Sequence, residues 1–178
     1  MESELKLSKL DVAKRQLETV CRLYFWHGDP VSIHTLTSAA YNVVRDLNSH
    51  RGGDEMFAKD GFLKRIKRGH EREVRALINA AENFFKHADR DHEEIIDFKP
   101  ALSEFMILEA CSVYSRLSGE WPPIFRLYQL WFIANHPDLF NFPEKESNIL
   151  KLDGKKAVAL GRQEFFRQSL TILERPYA

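Results

Sequence analysis

Apolar side chains recur at steps of three and four residues through most of this 178-residue chain. The first segment with this pattern carries Leu10, Ala13, Leu17, Val20, Cys21 and Tyr24. Steps of three and four place side chains on one face of an α-helix, and no segment alternates apolar and polar residues as a half-buried strand does. The sequence therefore predicts an all-α fold.

Capping residues, glycines and prolines divide the periodic segments into six predicted helices. Ser8 and Asp11 have the spacing of a capping box, and Asp29 with Pro30 is a typical helix start. The predicted helices cover about residues 8–27, 30–49, 71–88, 100–118, 124–135 and 155–173. The fourth is apolar on most sides, which predicts a central position. We expect a single-domain antiparallel bundle of five to seven helices, with 1–7 and 174–178 as flexible ends.

Charge and composition exclude several classes of protein. Lys plus Arg and Asp plus Glu each number 26, so the net charge is zero, without the basic excess of a general nucleic-acid binder. The 44% content of hydrophobic residues excludes a disordered chain. The apolar-rich stretch Leu127–Ala134 is far shorter than the ~20 residues of a membrane span, and the first ten residues lack the apolar core of a signal peptide. We therefore expect a cytoplasmic protein without membrane contact.

The end of the third predicted helix combines histidines with carboxylates. Its apolar residues, Leu77 among them, are expected to face inward, whereas Asn83 and His87 lie one turn apart on a polar side. The acidic loop that follows adds Asp89, Asp91, His92, Glu93 and Glu94. Imidazole and carboxylate groups suit a divalent metal ion such as Zn, Mn or Fe, and no other cofactor is predicted. The alternative is a solvated helix end, because no recognised ligand spacing is present.

The second predicted helix has a polar face opposite its apolar stripe. This face carries His34, Ser38, Tyr41 and Arg45 at helical spacing. If it met the polar side of the third helix, His34, Tyr41 and Arg45 would converge with Asn83 and His87. The alternative is an ordinary exposed face.

Glu109 lies within the apolar fourth helix, where a carboxylate is costly unless it is paired or ligated. Arg116, two turns further on, is a candidate partner. Glu109 otherwise becomes a candidate ligand-binding or acid–base group, together with His34 and Tyr41. The two cysteines, Cys21 and Cys111, are expected to be buried and inert, because neither lies at a helix start.

Two further segments are candidates for contact with partners. The basic run Lys64, Arg65, Lys67 and Arg68 could bind phosphate or an acidic partner, although such a run is often a solvated face. The segment Trp121–Phe142 is rich in aromatic residues and could form a dimer surface, although simple core filling is the more common reason for such a segment. We expect a homodimer.

The segments DPVSIHTLTSAAYNVVRDL (Asp29–Leu47) and NFFKHADRD (Asn83–Asp91) resemble those of an uncharacterised family of small bacterial helical proteins. This resemblance spans about Leu10 to Phe142 and brings no established activity.

A more distant resemblance is to the HEPN domain, in which Arg is followed by four to six residues and then His. Arg45 and His50 fit this pattern, with the polar Asp46 after the arginine. Asn83 and His87 are similar to it, with the arginine replaced. The resemblance implies a helical bundle that acts as a metal-independent RNase or as a nucleotide-binding module.

Three hypotheses of function follow. The first, which we favour, is a non-enzymatic module that binds a partner protein or a small ligand. The second is a HEPN-type RNase or nucleotide-handling enzyme that uses Arg45 and His50, or Asn83 and His87, with histidine as general acid or base. The third is a metal site formed by His34, His87 and nearby carboxylates.

Overall fold

The computed structural model describes residues 4–61, 63–65, 69–89, 92–141 and 154–173, without the side chains of Arg65, Glu71 and residues 170–173. The helices are α1 (Lys9–Phe25), α2 (Pro30–His50), α3 (Glu71–Lys86), α4 (Ala101–Ser118), α5 (Pro123–Asn135), α6 (154–160) and α7 (Arg162–Leu173). A π-helical turn, Phe57–Gly61, and two short 3₁₀ turns, Leu63–Arg65 and Pro137–Leu139, connect them. These ranges contain no strand. The predicted all-α helical bundle is confirmed.

The local start signals act as the sequence predicts. Ser8 and Asp11 cap α1 reciprocally, because the amide of each residue donates to the side chain of the other. The Asp29 carboxylate accepts from the amide of Ser32 at 2.8 Å, and Pro30 follows as the first residue of α2. These contacts satisfy backbone donors that a helix start leaves unpaired.

The carboxyl-terminal helix is a correction to the sequence prediction. The pattern predicts one helix over 155–173, but residues 154–160 and Arg162–Leu173 form two helices separated by Gly161. Gly161 has a φ of 77°, in the left-handed region that glycine enters without steric cost. Its amide closes the preceding helix on the carbonyl of Val158 at 3.0 Å. The break frees the start of α7 to face the end of α1.

The core lies around α1 and α4. Helix α1 packs against α2, α4, α5 and α7, and α4 packs against α1, α2, α5 and the Phe57–Gly61 turn. The fully buried side chains of the core include Phe25, Tyr41, Phe125 and Tyr128. Burying a side chain of this size stabilises a fold by about 1.5–3 kcal/mol, so much of the aromatic content serves the core.

Helix α7 is attached to the bundle by aromatic contacts. The ring of Phe166 stacks on that of Phe25, with centroids 4.7 Å apart and planes inclined by 8°. Phe165 contacts Trp131 on α5 at 5.2 Å. These contacts fix Arg162, the first residue of α7, beside the end of α1. No helix in the described part of the chain combines the length and the apolar character needed to cross a membrane.

Candidate functional site

The polar face of α2 does meet α3, but through other residues of α3 than the sequence suggests. Asn42 on α2 donates to Oε1 of Glu82 at 2.7 Å, and the ring of His34 packs edge-on against Phe85 at 5.6 Å. Asn83 and His87 are exposed. Asn83 follows Glu82, which faces α2, and His87 lies beyond the last residue of α3. The convergence of Asn83 and His87 with α2 is therefore not observed.

A buried ion pair joins α3 to the Phe57–Gly61 turn. Lys59 donates to Oε2 of Glu82 and, at 2.9 Å, to the side-chain oxygen of Asn42. Lys86 donates to Oε1 of Glu82 at 2.7 Å. Burial alone would raise the pKa of Glu82, but the hydrogen bonds from Lys59 and Lys86 outweigh it and lower that pKa to about 2. Burial lowers the pKa of Lys59, and Glu82 opposes this. The pair is fully partnered, so it serves stability rather than binding.

Glu109 secures the same turn from the other side. Its Oε2 accepts from the hydroxyl of Tyr41 at 2.7 Å and from the amide of Ala58 at 3.0 Å, and its Oε1 accepts from the amide of Phe57. Burial and the nearby Glu109 charge raise the pKa of Tyr41. Arg116 is not the partner that the sequence suggests, because its guanidinium donates to Asn48 at 3.1 Å. Tyr41 and Glu109 thus hold backbone in place.

Arg45 and His50 lie in different surroundings. The guanidinium of Arg45 contacts the carboxylates of Asp46 at 3.4 Å and of Asp60 at 3.7 Å. It lines a cavity of about 320 Å³, whose described walls are rich in carboxylates and do not include His50. His50 is exposed in the last turn of α2. The geometry thus gives no support to a joint role of these two residues.

The basic run and the proposed metal ligands are only partly described. Lys64 is exposed and pairs with Glu55 at 3.1 Å. Lys67, Arg68 and the Arg65 side chain lie outside the described residues, as does Asp91. Within the part of the chain that the structure describes, no three His, Cys, Asp or Glu side chains are grouped closely enough to hold a metal ion.

A second cavity, of about 250 Å³, lies where four helix ends meet. It is lined by Tyr24, His27, Gly28, Pro30, Ile33, Pro100, Ser103, Glu104 and Arg162. The end of α1 forms one wall, and the first turns of α2, α4 and α7 form the others. Helix starts carry a partial positive charge from their unpaired amides. Asp29 caps α2, whereas no side chain caps the start of α4. We call this space the helix-end cavity.

His27 occupies an unusual backbone position at this cavity. It is the one residue other than glycine with a positive φ, 55°, in the described chain. Its amide bonds to the carbonyl of Tyr24 and the next amide, of Gly28, bonds to that of Leu23 at 2.7 Å, which is the pattern of a Schellman motif. Glycine is usual at this position, because the left-handed conformation costs other residues about 1–2 kcal/mol.

The side chain of His27 holds Arg162 in place. Arginine only donates, so Nδ1 of His27 accepts a hydrogen bond from the guanidinium of Arg162. The guanidinium also lies 4.3 Å from the centre of the Tyr24 ring, in a cation–π contact. The two contacts fix a positive charge on the cavity wall.

Glu104 brings a negative charge to the same cavity. Its Oε2 accepts from the hydroxyl of Tyr24 at 3.2 Å and lies 4.0 Å from Nε2 of His136. The Tyr24 hydroxyl in turn accepts from Nε1 of Trp131 at 3.3 Å, and burial raises the pKa of Tyr24. The carboxylate is therefore oriented by an aromatic network that reaches into the core.

His34 touches the helix-end cavity only through Ser103. Its Nδ1 and the Ser103 hydroxyl are hydrogen-bonded at 2.8 Å, and burial lowers the pKa of His34. Both side chains are almost wholly buried, at 1% and 2% exposure. A serine hydroxyl in this position is held by histidine but is poorly accessible as a nucleophile.

The sequence pattern does not mark Tyr24, His27, Glu104 or Arg162 as site residues. A local signal exists at two helix boundaries, where a polar or charged side chain stands next to a glycine. These are His27 before Gly28, and Arg162 after Gly161. The two boundaries are 135 residues apart, so only the packed bundle brings them together.

Comparison of the chain with protein-family models, with curated proteins and with solved structures finds no match.

Proposed function

We propose that this protein is a non-enzymatic binding module for a small molecule that carries an anionic group, with the helix-end cavity as its site. The observation that supports the proposal is the placement of Arg162, which His27 and Tyr24 hold at the cavity wall. A pre-positioned guanidinium binds carboxylate or phosphate without losing much side-chain entropy.

The surroundings of Arg162 favour an anion. The first turns of α4 and α7 line the cavity, and helix starts attract negative groups through their free amides. The start of α2 contributes less, because the Asp29 carboxylate already caps it. Pro30, Ile33 and Pro100 add apolar surface for the remainder of the ligand. The volume, about 250 Å³, lies just below the range of ~300–1,000 Å³ typical of sites for drug-sized ligands, so the ligand is metabolite-sized.

A binding role agrees better than a catalytic one with the residues at the cavity. The Ser103 hydroxyl is 2% exposed and engaged by His34. No other alcohol or thiol that could serve as a nucleophile is among the described lining residues, apart from the phenol of Tyr24, which donates to Glu104.

Native mass spectrometry of the purified protein tests the proposal, with Arg162→Met and, as the matched control, Arg167→Met on the same helix. Arg167 is exposed and pairs with Glu164. We expect the wild type and Arg167→Met to retain a small ligand, and Arg162→Met to lose it. Equal retention by Arg162→Met contradicts the proposal. A wild type that retains nothing and shows no Arg162-dependent stabilisation by small carboxylates or phosphate also contradicts it.

A bacterial origin, a cytoplasmic location and a homodimer stay part of the proposal. The segment predicted as a dimer surface buries Phe125, Tyr128 and Trp131 in its own core, but leaves Leu130 50% and Leu139 67% exposed. Light scattering after size-exclusion chromatography tests the dimer. A mass twice that of the 20.8 kDa chain supports it, and a mass of one chain contradicts it.

A further inference from the structure

Two opposite charges line the helix-end cavity without pairing with each other. Arg162 and Glu104 are both lining residues, yet within the described residues each contacts another side chain, since Arg162 donates to His27 and Glu104 lies near His136. The Tyr24 side chain stands between them, with Arg162 over its ring and its hydroxyl on Glu104. The cavity therefore presents a cation and an anion that both contact Tyr24.

The Glu104 carboxylate retains capacity to accept hydrogen bonds. Both of its described contacts, with Tyr24 and with His136, fall on Oε2. A carboxylate has two oxygens and about four acceptor positions, so Oε1 can accept from a bound donor. Its side chain is 30% exposed, so a ligand can reach it without disturbing the core.

A ligand with one charge would satisfy only half of this site. If a simple anion bound to Arg162, it would displace water from the cavity and bring a negative charge towards Glu104, and both effects oppose binding. A molecule with an anionic and a cationic group at short separation would pair with both residues and leave neither charge uncompensated.

We infer that the ligand is a small zwitterion of the α-amino-acid class, with its carboxylate towards Arg162 and its ammonium group towards Glu104. This inference rests on the proposed function, because it takes the helix-end cavity as the binding site. The apolar surface of Ile33, Pro30 and Pro100 favours an apolar side chain on the amino acid.

Thermal unfolding of the full chain with each of the twenty standard L-amino acids tests the inference. Every amino acid that stabilises the protein is compared with its two matched analogues, the carboxylic acid without the amine and the amine without the carboxylate. For leucine these are 4-methylpentanoate and 3-methylbutylamine. We expect at least one amino acid to bind, and its analogues to bind about tenfold or more weakly, because each lacks one charge-assisted contact.

Two variants, Glu104→Gln and Arg162→Met, test which residue binds which charged group of the ligand. Glu104→Gln should weaken amino-acid binding about tenfold or more while the affinity for the matched acid stays the same or increases. Glu120→Gln is the control, because Glu120 is an exposed carboxylate that pairs with Lys14 on the surface. Arg162→Met should remove binding of both the amino acid and the acid.

The outcomes separate this inference from the proposed function. If the matched acid binds as tightly as the amino acid, the zwitterion is wrong, but an anion site at Arg162 stands. If no amino acid binds and native mass spectrometry still shows an Arg162-dependent ligand, the inference is again wrong and the function stands. If neither experiment shows an Arg162-dependent ligand, both are wrong. The comparison of analogues uses the wild type alone, so it holds even if Glu104→Gln fails to fold.

Discussion

Lys59 and Glu82 form an ion pair whose side chains are only 5% and 10% exposed. The pair joins the Phe57–Gly61 turn to α3, and Asn42 on α2 bonds to both partners. Removing one partner of a buried pair leaves the other charge uncompensated. In Lys59→Met, however, Lys86 still donates to Glu82, so we expect the free energy of unfolding to fall by about 1.5–3 kcal/mol, as measured by urea denaturation.

A surface pair and a double variant serve as controls. Lys64 pairs with Glu55, but the two side chains are 70% and 50% exposed, so Lys64→Met should cost no more than about 1 kcal/mol. The double variant Lys59→Met with Glu82→Leu should cost less than the sum of the two single changes. Additive losses, or a loss below about 1 kcal/mol for Lys59→Met, would show that the ion pair does not stabilise the fold.

The lowered pKa of Glu82 predicts a loss of stability in acid. Its ordinary value is 4.5, and the native contacts lower it to about 2. A lowered native pKa adds stability above the unfolded pKa, and this stability is lost as the pH falls from about 5 to 2. The shift corresponds to about 3 kcal/mol of stability.

Urea denaturation between pH 7 and pH 3 tests this prediction. The free energy of unfolding should fall more steeply with decreasing pH for the wild type than for Glu82→Gln. Parallel curves for the two proteins contradict this role of Glu82.

The burial of both cysteines predicts unreactive thiols. Cys21 on α1 and Cys111 on α4 are 0% and 3% exposed, with their sulfur atoms 4.0 Å apart. Burial raises the pKa of Cys111 well above its usual value, and the thiolate is the reactive form. Ellman's reagent should label neither thiol in the native protein and both in denaturant. Rapid labelling of the folded protein would contradict the packing of α1 against α4.

The left-handed conformation of His27 predicts a conflict between stability and binding. Glycine is favoured at this position, so His27→Gly should unfold at an equal or higher urea concentration, with a gain of up to about 1 kcal/mol. The same change removes the acceptor that holds Arg162, so ligand retention in native mass spectrometry should fall. His27→Asn is the matched control, because asparagine tolerates the left-handed region and its amide oxygen can accept from Arg162. Undiminished retention by His27→Gly would mean that His27 does not position Arg162.

Local signals account for the parts of the fold that the sequence predicts correctly. Ser8 with Asp11 and Asp29 with Pro30 act within one helical turn, so their effect is readable from neighbouring residues alone. Gly161 is a local signal that the helical periodicity obscures, because an isolated glycine is often tolerated inside a helix. The sequence does not show the positive φ of Gly161, and the break in the helix is seen only in the folded chain, where α7 packs on α1.

Contacts between distant segments account for the rest. The apolar stripe of α3 predicts Leu77 at the interior, but Leu77 is 69% exposed and Glu82 is buried instead. The reason is that Lys59 and Asn42, from two other segments, provide partners that make burial of the carboxylate favourable. The helix-end cavity has the same origin, since Arg162 reaches His27 only through the aromatic packing of Phe166 on Phe25.

The most direct test of the helix-end cavity is an NMR titration of ¹⁵N-labelled protein with sodium acetate, compared with sodium chloride at equal ionic strength. Acetate lacks a group that pairs with Glu104, so we expect it to bind only weakly and to need a high concentration. It should nevertheless shift the amide signals of Gly28, Ser103 and Arg162 most, and Arg162→Met should abolish these shifts. Shifts that spread over the surface, or that persist unchanged in Arg162→Met, would contradict an anion site in the helix-end cavity.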